Sequence, residues 1–136
     1  MTLKSPTLEE IQSAANNIRS KATRTPLIRL NWQQEGTLGD DVQIYLKLEN
    51  LQTIGSFKVR PAANAIACIE DKDTLRRVGV CTASAGNFAQ GLAWCCAEEG
   101  IRCTVVAPDQ APEAKLAEIR RRGATVMKVP YSEWWE

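Results

Sequence analysis

The chain has 136 residues, 44% hydrophobic and 24% charged, enough for one soluble domain with its own core. Its 17 Lys plus Arg nearly balance 16 Asp plus Glu, and a net charge of +1 gives no electrostatic grounds for a nucleic acid or membrane-surface partner. Histidine is absent, which excludes a Ser-His-Asp triad, a Cys-His pair and a His-ligated zinc; no metal site is expected.

Apolar residues recur at helical spacing from Thr7 to Lys21 (Leu8, Ile11, Ala14, Ala15, Ile18). Thr7 as N-cap with Glu10 three residues on, after Pro6, predicts a capping box at the start of that helix. The "TPL" at Thr25 to Leu27 leads into a polar loop containing Gly36 and Gly39. "VQIYLKLEN" then alternates, with Val42, Ile44, Leu46 and Leu48 on one face, and predicts a half-buried strand. "ANAIACI" has the apolar density of a helix, which Gly55 and Ser56 would open; Pro61 confines its start to the first turn, near Arg60.

From Val78 the pattern becomes regular: strand "VGVCTA", loop "SAGN", helix from Phe88 to Glu99, strand "CTVVA", helix from Glu113 to Arg122, strand "TVMKV". Strands alternating with helices of this length predict an α/β fold, a parallel sheet with flanking helices. The "RRR" at Arg120 to Arg122 closes a helix, where cations complement the dipole. Five cysteines, Cys68, Cys81, Cys95, Cys96 and Cys103, lie among apolar residues without a C-x-x-C and read as reduced core thiols. The N-terminal segment has no apolar core like a signal peptide's and no stretch long enough to span a bilayer, so a cytoplasmic protein is expected. "YSEWWE" ends the chain on two large aromatics that need something to pack against, an expectation of a fragment or short isoform of a longer protein.

Two segments carry candidate chemistry. In "QTIGSFKVRPAANAI", Lys58 stands at the mouth of a helix, where the dipole field favours a neutral amine over an ammonium; such an amine is a nucleophile toward aldehydes. In "TASAGNFAQG", at the carboxyl end of a strand, Gly86 permits a positive φ and Asn87 with Gln90 predicts a helix cap. The free N–H groups of that first turn suit an anion such as a carboxylate, although a plain capped turn fits the loop as well. An amine nucleophile with a carboxylate receptor describes an enzyme that handles amino acids through an aldehyde cofactor.

These two motifs, "KLENLQTIGSFKVRPAANAI" and "TASAGNFAQG", resemble the lysine motif and asparagine loop of fold-type II pyridoxal-phosphate enzymes, specifically the threonine and serine dehydratases and serine racemase. The resemblance runs from "RTPL" to "KVP". It implies pyridoxal 5'-phosphate as cofactor, bound covalently by Lys58, with Phe57 packed on its ring and Asn87 hydrogen-bonded to its phenolic oxygen. Ser84, Ala85, Gly86, Asn87 and Phe88 would form the loop for the substrate carboxylate, and Lys58 would act as base at Cα. The implied activity is an L-threonine/L-serine ammonia-lyase, with serine racemase or a non-catalytic interaction fragment as alternatives. Ala85 stands where the similar racemases carry a second serine, which leans toward β-elimination. Phe88 stands in place of a histidine and Pro61 in place of a glycine; in the family the phosphate-gripping glycine loop follows later, and none of the eight glycines here is adjacent to another. The resemblance also implies residues 1–52 as part of a large domain, residues 53–136 as an incomplete small domain, and homo-oligomerisation of the parent enzyme.

Overall fold

The computed structural model describes residues 4–31 and 42–134; the expected loop with Gly36 and Gly39 and the side chain of Trp135 lie outside them. Helix α1 (Leu8–Asn17) opens on the expected capping box: Thr7 Oγ accepts the Glu10 N–H at 3.2 Å and the Thr7 N–H donates to Glu10 Oε2 at 2.7 Å. The helix stops at Asn17 rather than Lys21, and Ile18 beyond it is buried. Asn17 donates to Asn64 Oδ1 at 3.1 Å, tying this segment to the helix that follows Lys58.

Strands β1 (Leu27–Arg29) and β2 (Tyr45–Lys47) pair antiparallel, with Ile28 opposite Leu46. The half-buried strand expected over residues 42–50 is therefore shorter, and all three of its paired residues are exposed. The physical reason is the partner: β1 offers only three residues, and after the Leu48 N–H bonds Pro26 O at 3.1 Å the chain winds into a 3-10 turn, Glu49–Leu51.

Helix α2 (Val59–Ala67) starts one residue before Arg60, with Lys58 at the cap position. Pro61 is third in the helix, where a backbone N–H would have no intrahelical partner anyway. The stripe Val59, Ala62, Ala63 and Ile66 is buried at the spacing of one helix face. A helix not anticipated from sequence, α3 (Lys72–Val78), is capped by Asp71, whose Oδ1 accepts the Thr74 N–H at 2.9 Å. It ends at Gly79, where glycine is required twice: φ is +87°, and a Cβ would stand 2.7 Å from Arg102 O.

Strands β3 (Val80–Ala83), β4 (Cys103–Pro108) and β5 (Thr125–Val129) form the expected parallel sheet in that order, linked by helices α4 (Asn87–Glu98) and α5 (Glu113–Arg121). A short α6 (Tyr131–Trp134) follows and packs on β4. The core lies between the sheet and helices α2, α4 and α5: Val59, Ile66, Cys95, Cys96, Val105, Leu116 and Ile119 are fully buried. Each such Ile or Leu contributes about 1.5–3 kcal/mol. The cysteines need correction: Cys95, Cys96 and Cys103 are buried, but Cys68 and Cys81 are exposed. Cys81 points to the sheet face away from Val80 and Thr82, which the helices leave open. The arginine run is engaged in ion pairs, Arg120 with Glu113 and Arg121 and Arg122 with Glu118, as a helix end predicts.

Candidate active site

Lys58 is placed by a tight turn. Gly55, at φ +68°, donates its N–H to Gln52 O at 2.7 Å, and the buried Ser56 accepts the Lys58 N–H on its Oγ at 3.3 Å. Arg60 N–H bonds Phe57 O and Ala62 N–H bonds Lys58 O, so the helical ladder begins at the lysine itself. The Lys58 side chain is half-buried, and its Nζ stands 5.0 Å from the centroid of the Phe57 ring, a cation–π distance. Phe57 is 52% exposed, leaving a ring face for a planar ligand.

The second loop uses the same device. Ser84 N–H bonds Val106 O at 3.1 Å, extending the β3–β4 ladder, and Ser84 Oγ accepts the Gly86 N–H at 3.3 Å. The cap is Gly86, not Asn87, its φ of −114° is extended rather than positive because the Ser84 hydroxyl makes the turn, and no side chain caps the helix; Asn87 is its first residue. The expected Asn87–Gln90 capping box is thus absent, because Ser84 has already turned the chain and the helix starts one residue early. Asn87 is left exposed with its amide uncommitted to a cap, and the first-turn N–H groups of Asn87 and Phe88 keep the free donors of any uncapped helix start. Phe88 packs, half-buried, against the core.

Gly91 brings the two loops together. A Cβ there would lie 2.9 Å from Lys58 O and 3.2 Å from Ile54 Cδ1, so α4 approaches the lysine backbone as closely as only glycine allows. Asn87 and Gly91 are four residues apart and share a helix face, about 6 Å apart along the axis. Asn87 therefore stands on the face of α4 against which Lys58 rests. Ser84, Ala85 and Gly86, with Pro108, Lys115 and Trp134, line a cleft of about 500 Å³ outside the carboxyl ends of β3 and β4. Phe57, Lys58, Asn87 and Phe88 do not line it. Trp134 donates from its indole N–H to Val106 O at 3.0 Å, the same carbonyl that accepts from Ser84.

A polar network beside Lys58 was not foreseen. Arg60 grips Glu49 through Nε and Nη2 at 2.8 and 2.7 Å, while Thr25 Oγ donates to the same carboxylate at 2.5 Å and Gln52 Nε2 at 3.2 Å. Gln52 also pairs with the Thr23 backbone, accepting its N–H at 2.9 Å and donating to its carbonyl at 2.8 Å. The Arg60 guanidinium, with help from Thr25 and Gln52, holds the Glu49 carboxyl down at about 2 against the opposing effect of burial.

The pyridoxal-phosphate dependent enzyme family matches residues 18–135. The chain belongs to that family. It is 43% identical over 121 residues to an L-threonine ammonia-lyase of Thermotoga maritima and 37% identical over 121 residues to a β-hydroxyaspartate dehydratase of Paracoccus denitrificans; each alignment takes in 89% of this chain. Among solved structures it is similar to a serine racemase from Dictyostelium discoideum, with TM-score 0.78 and 36% identity over 92% of this chain. A threonine deaminase of T.th. also has TM-score 0.78, with 33% identity over 93% of this chain. The chain spans 29% and 37% of the length of the two curated relatives and 39% of each of the two solved chains.

The residues present fit the reactive end of the family's cofactor. A primary amine for the aldehyde, a half-exposed aromatic ring beside it and an amide one helix turn from the lysine contact are all in place. Among the described residues no two glycines are adjacent, so a glycine-rich loop for the phosphate is not part of this arrangement.

Proposed function

We propose that this chain carries the lysine and carboxylate-loop portion of a pyridoxal-phosphate-dependent L-threonine/L-serine ammonia-lyase. The contact of Gly91 with the Lys58 backbone supports the reading most directly, since it sets the helix that follows the second motif against the lysine of the first. Lys58 would hold pyridoxal phosphate at its aldehyde, with Phe57 against the ring and Asn87 at the phenolic oxygen. When bound, that cofactor supplies an electron-accepting ring for the charge left at the substrate Cα. With its amine freed as the substrate's amino group takes its place, Lys58 would take the Cα proton and return a proton to the β-hydroxyl, which would leave as water. The released enamine hydrolyses to a 2-oxo acid and ammonia, 2-oxobutanoate from threonine and pyruvate from serine. Ser84, through its hydroxyl, and the N–H groups of Asn87 and Phe88 would receive the substrate carboxylate and fix the Cα–H bond toward Lys58.

Serine racemisation is a second reading, favoured by similarity to serine racemase, but Ala85 offers no proton on the opposite face of Cα. Separate sheets for residues 27–47 and 80–129 support a division of the chain near residue 52 between two domains of a larger parent. Unpaired cysteines support a cytoplasmic setting; no helix among the described residues is long and apolar enough to cross a membrane.

The test is to add pyridoxal phosphate to the purified chain and follow visible absorbance, borohydride fixation and peptide mapping, with Lys58→Ala as control. Fixation on Lys58, with 2-oxo acid released from threonine and serine, is expected. D-serine formed faster than pyruvate would select racemisation. Absorbance unchanged by Lys58→Ala would leave the chain as a non-catalytic interaction fragment.

A further inference from the structure

The buried polar residues Thr25, Gln52 and Ser56 flank the paired strands, Thr25 just before β1 and the other two between β2 and Lys58. Polar burial is unfavourable unless every group is paired, and here the pairing is nearly complete. Glu49 receives two bonds from Arg60 and one each from Thr25 and Gln52; Arg60 Nη2 also reaches Thr23 O at 3.1 Å; Lys47 Nζ donates to Thr25 O at 2.5 Å. The side chains of Arg60 and Glu49 are 31% and 18% exposed, so the pair is shielded more than a surface ion pair. A network of this kind is more than the three-residue hairpin requires to stay paired. What it reaches is the turn of Gln52 to Lys58 and the first turn of α2, the segment whose geometry decides where Lys58 points.

We propose that Glu49 and Arg60 are positioning residues for Lys58. They clamp the Thr23–Thr25 strap and the Glu49–Gln52 turn to the start of α2, so that the lysine backbone is held against Gly91 and its amine faces a ligand on the α4 side. The inference rests on the reading of Lys58 as the reactive amine, but it concerns the geometry of the chain and is testable without cofactor turnover. Arg is needed because its planar fork takes both carboxylate oxygens at once; a lysine at position 60 keeps the charge and loses the second bond.

The experiment compares the unmodified chain with Arg60→Lys, Arg60→Met and Glu49→Gln. Circular dichroism establishes that each folds, and Glu49→Gln, which removes charge but keeps shape, serves if Arg60→Met does not. Two readouts follow. Amide hydrogen exchange is measured over Lys58 to Ala62 at the residues that carry an N–H, Lys58, Val59, Arg60 and Ala62, with Val105 as a core reference. The share of pyridoxyl label fixed on Lys58 by borohydride is measured against that on Lys128, a lysine remote in sequence. Arg60→Met and Glu49→Gln are expected to speed exchange at Lys58 to Ala62 about tenfold while Val105 stays unchanged, and to lower the Lys58 share of label about tenfold. Arg60→Lys should recover only part of either effect. Folded variants with unchanged exchange at Lys58 to Ala62 overturn the proposal, as does full recovery by Arg60→Lys or exchange that rises equally at Val105. An unmodified chain that labels Lys58 no faster than Lys128, yet shows the exchange effect, sustains the clamp and overturns only the cofactor reading.

Discussion

Replacing Gly91 with alanine sets two effects of known sign against each other. Alanine is favoured over glycine in a helix interior by about 1 kcal/mol, and position 91 is in the second turn of α4. Against that, the new Cβ would lie 2.9 Å from Lys58 O, a backbone atom that cannot rotate aside, and 3.2 Å from Ile54 Cδ1, which can. Forcing a methyl into a packed contact costs about 1–3 kcal/mol. The expected net change is a loss of about 1 kcal/mol, or roughly 3–5 °C in thermal midpoint for a chain of this size. Gly86→Ala is the control, since nothing lies within 4 Å of a Cβ there and its φ of −114° suits any residue. Thermal and urea unfolding of both variants measure the difference, with borohydride labelling of Lys58 as the functional readout. A Gly91→Ala chain about 1 kcal/mol more stable than the parent would refute the argument, since helix propensity would then be acting without a steric opponent.

The Glu49 carboxyl, held at about 2 against an ordinary 4.5, contributes stability that is full above about pH 4.5 and is lost as pH falls toward 2. Glu49→Gln should therefore be less stable than the parent at pH 6 and converge on it near pH 2; a gap of equal size at both pH values in urea titrations contradicts this. Maleimide should modify Cys68 and Cys81 in the folded chain and reach Cys95, Cys96 and Cys103 only on unfolding, read by intact mass; burial pushes the Cys95 thiol up to about 11, which adds to its inertness. Ala85→Ser, within the loop proposed for the substrate carboxylate, should raise D-serine formation relative to pyruvate in any preparation that turns over serine, and an unchanged ratio counts against the role given to that position.

The regular half of the fold was legible because periodicity reports burial: α4, β4 and α5 each bury residues, and β3 and β5 turn Val80 and Val126 partly inward. Helix α3 escaped because it has one buried residue, Leu75; its signals were only the cap at Asp71, Arg76 and Arg77 in its last turn, and the glycine that ends it. The alternation from Val42 to Leu48 overstated β2, since a pattern shows which face seeks cover and not whether a partner of equal length exists. For the site, local sequence located Lys58 and the Ser84–Phe88 loop but misjudged the cap, because Gly86 and Asn87 both suit that position and the Ser84 hydroxyl decides between them. Glu49, Arg60 and Gln52 carried no spacing signal at all. Their partners lie 11 to 29 residues away, and only the folded chain brings them together.

How far Lys58 stands from Asn87 is decided in the core rather than in the loops. Helices α2 and α4 pack on each other, and where α4 meets the Lys58 backbone it carries only Gly91, while α2 buries the small Ala62 and Ala63 on its inner face. Side chains of that size let two helices approach more closely than Leu or Ile would, and helix spacing follows the side chains at the contact. Had a larger residue stood at Gly91, α4 would move outward and carry Asn87 and the carboxylate loop with it, while Lys58 stayed with α2. Displacements of about 1 Å are enough to cost two orders of magnitude in a reaction that depends on alignment. The close approach at Gly91 sets how near α4 lies to the Lys58 backbone, and the proposed Glu49–Arg60 clamp would set the direction of the amine. Under the proposed reading neither restraint alone would define a reactive position; with both, a lysine and an asparagine 29 residues apart in sequence would serve one site.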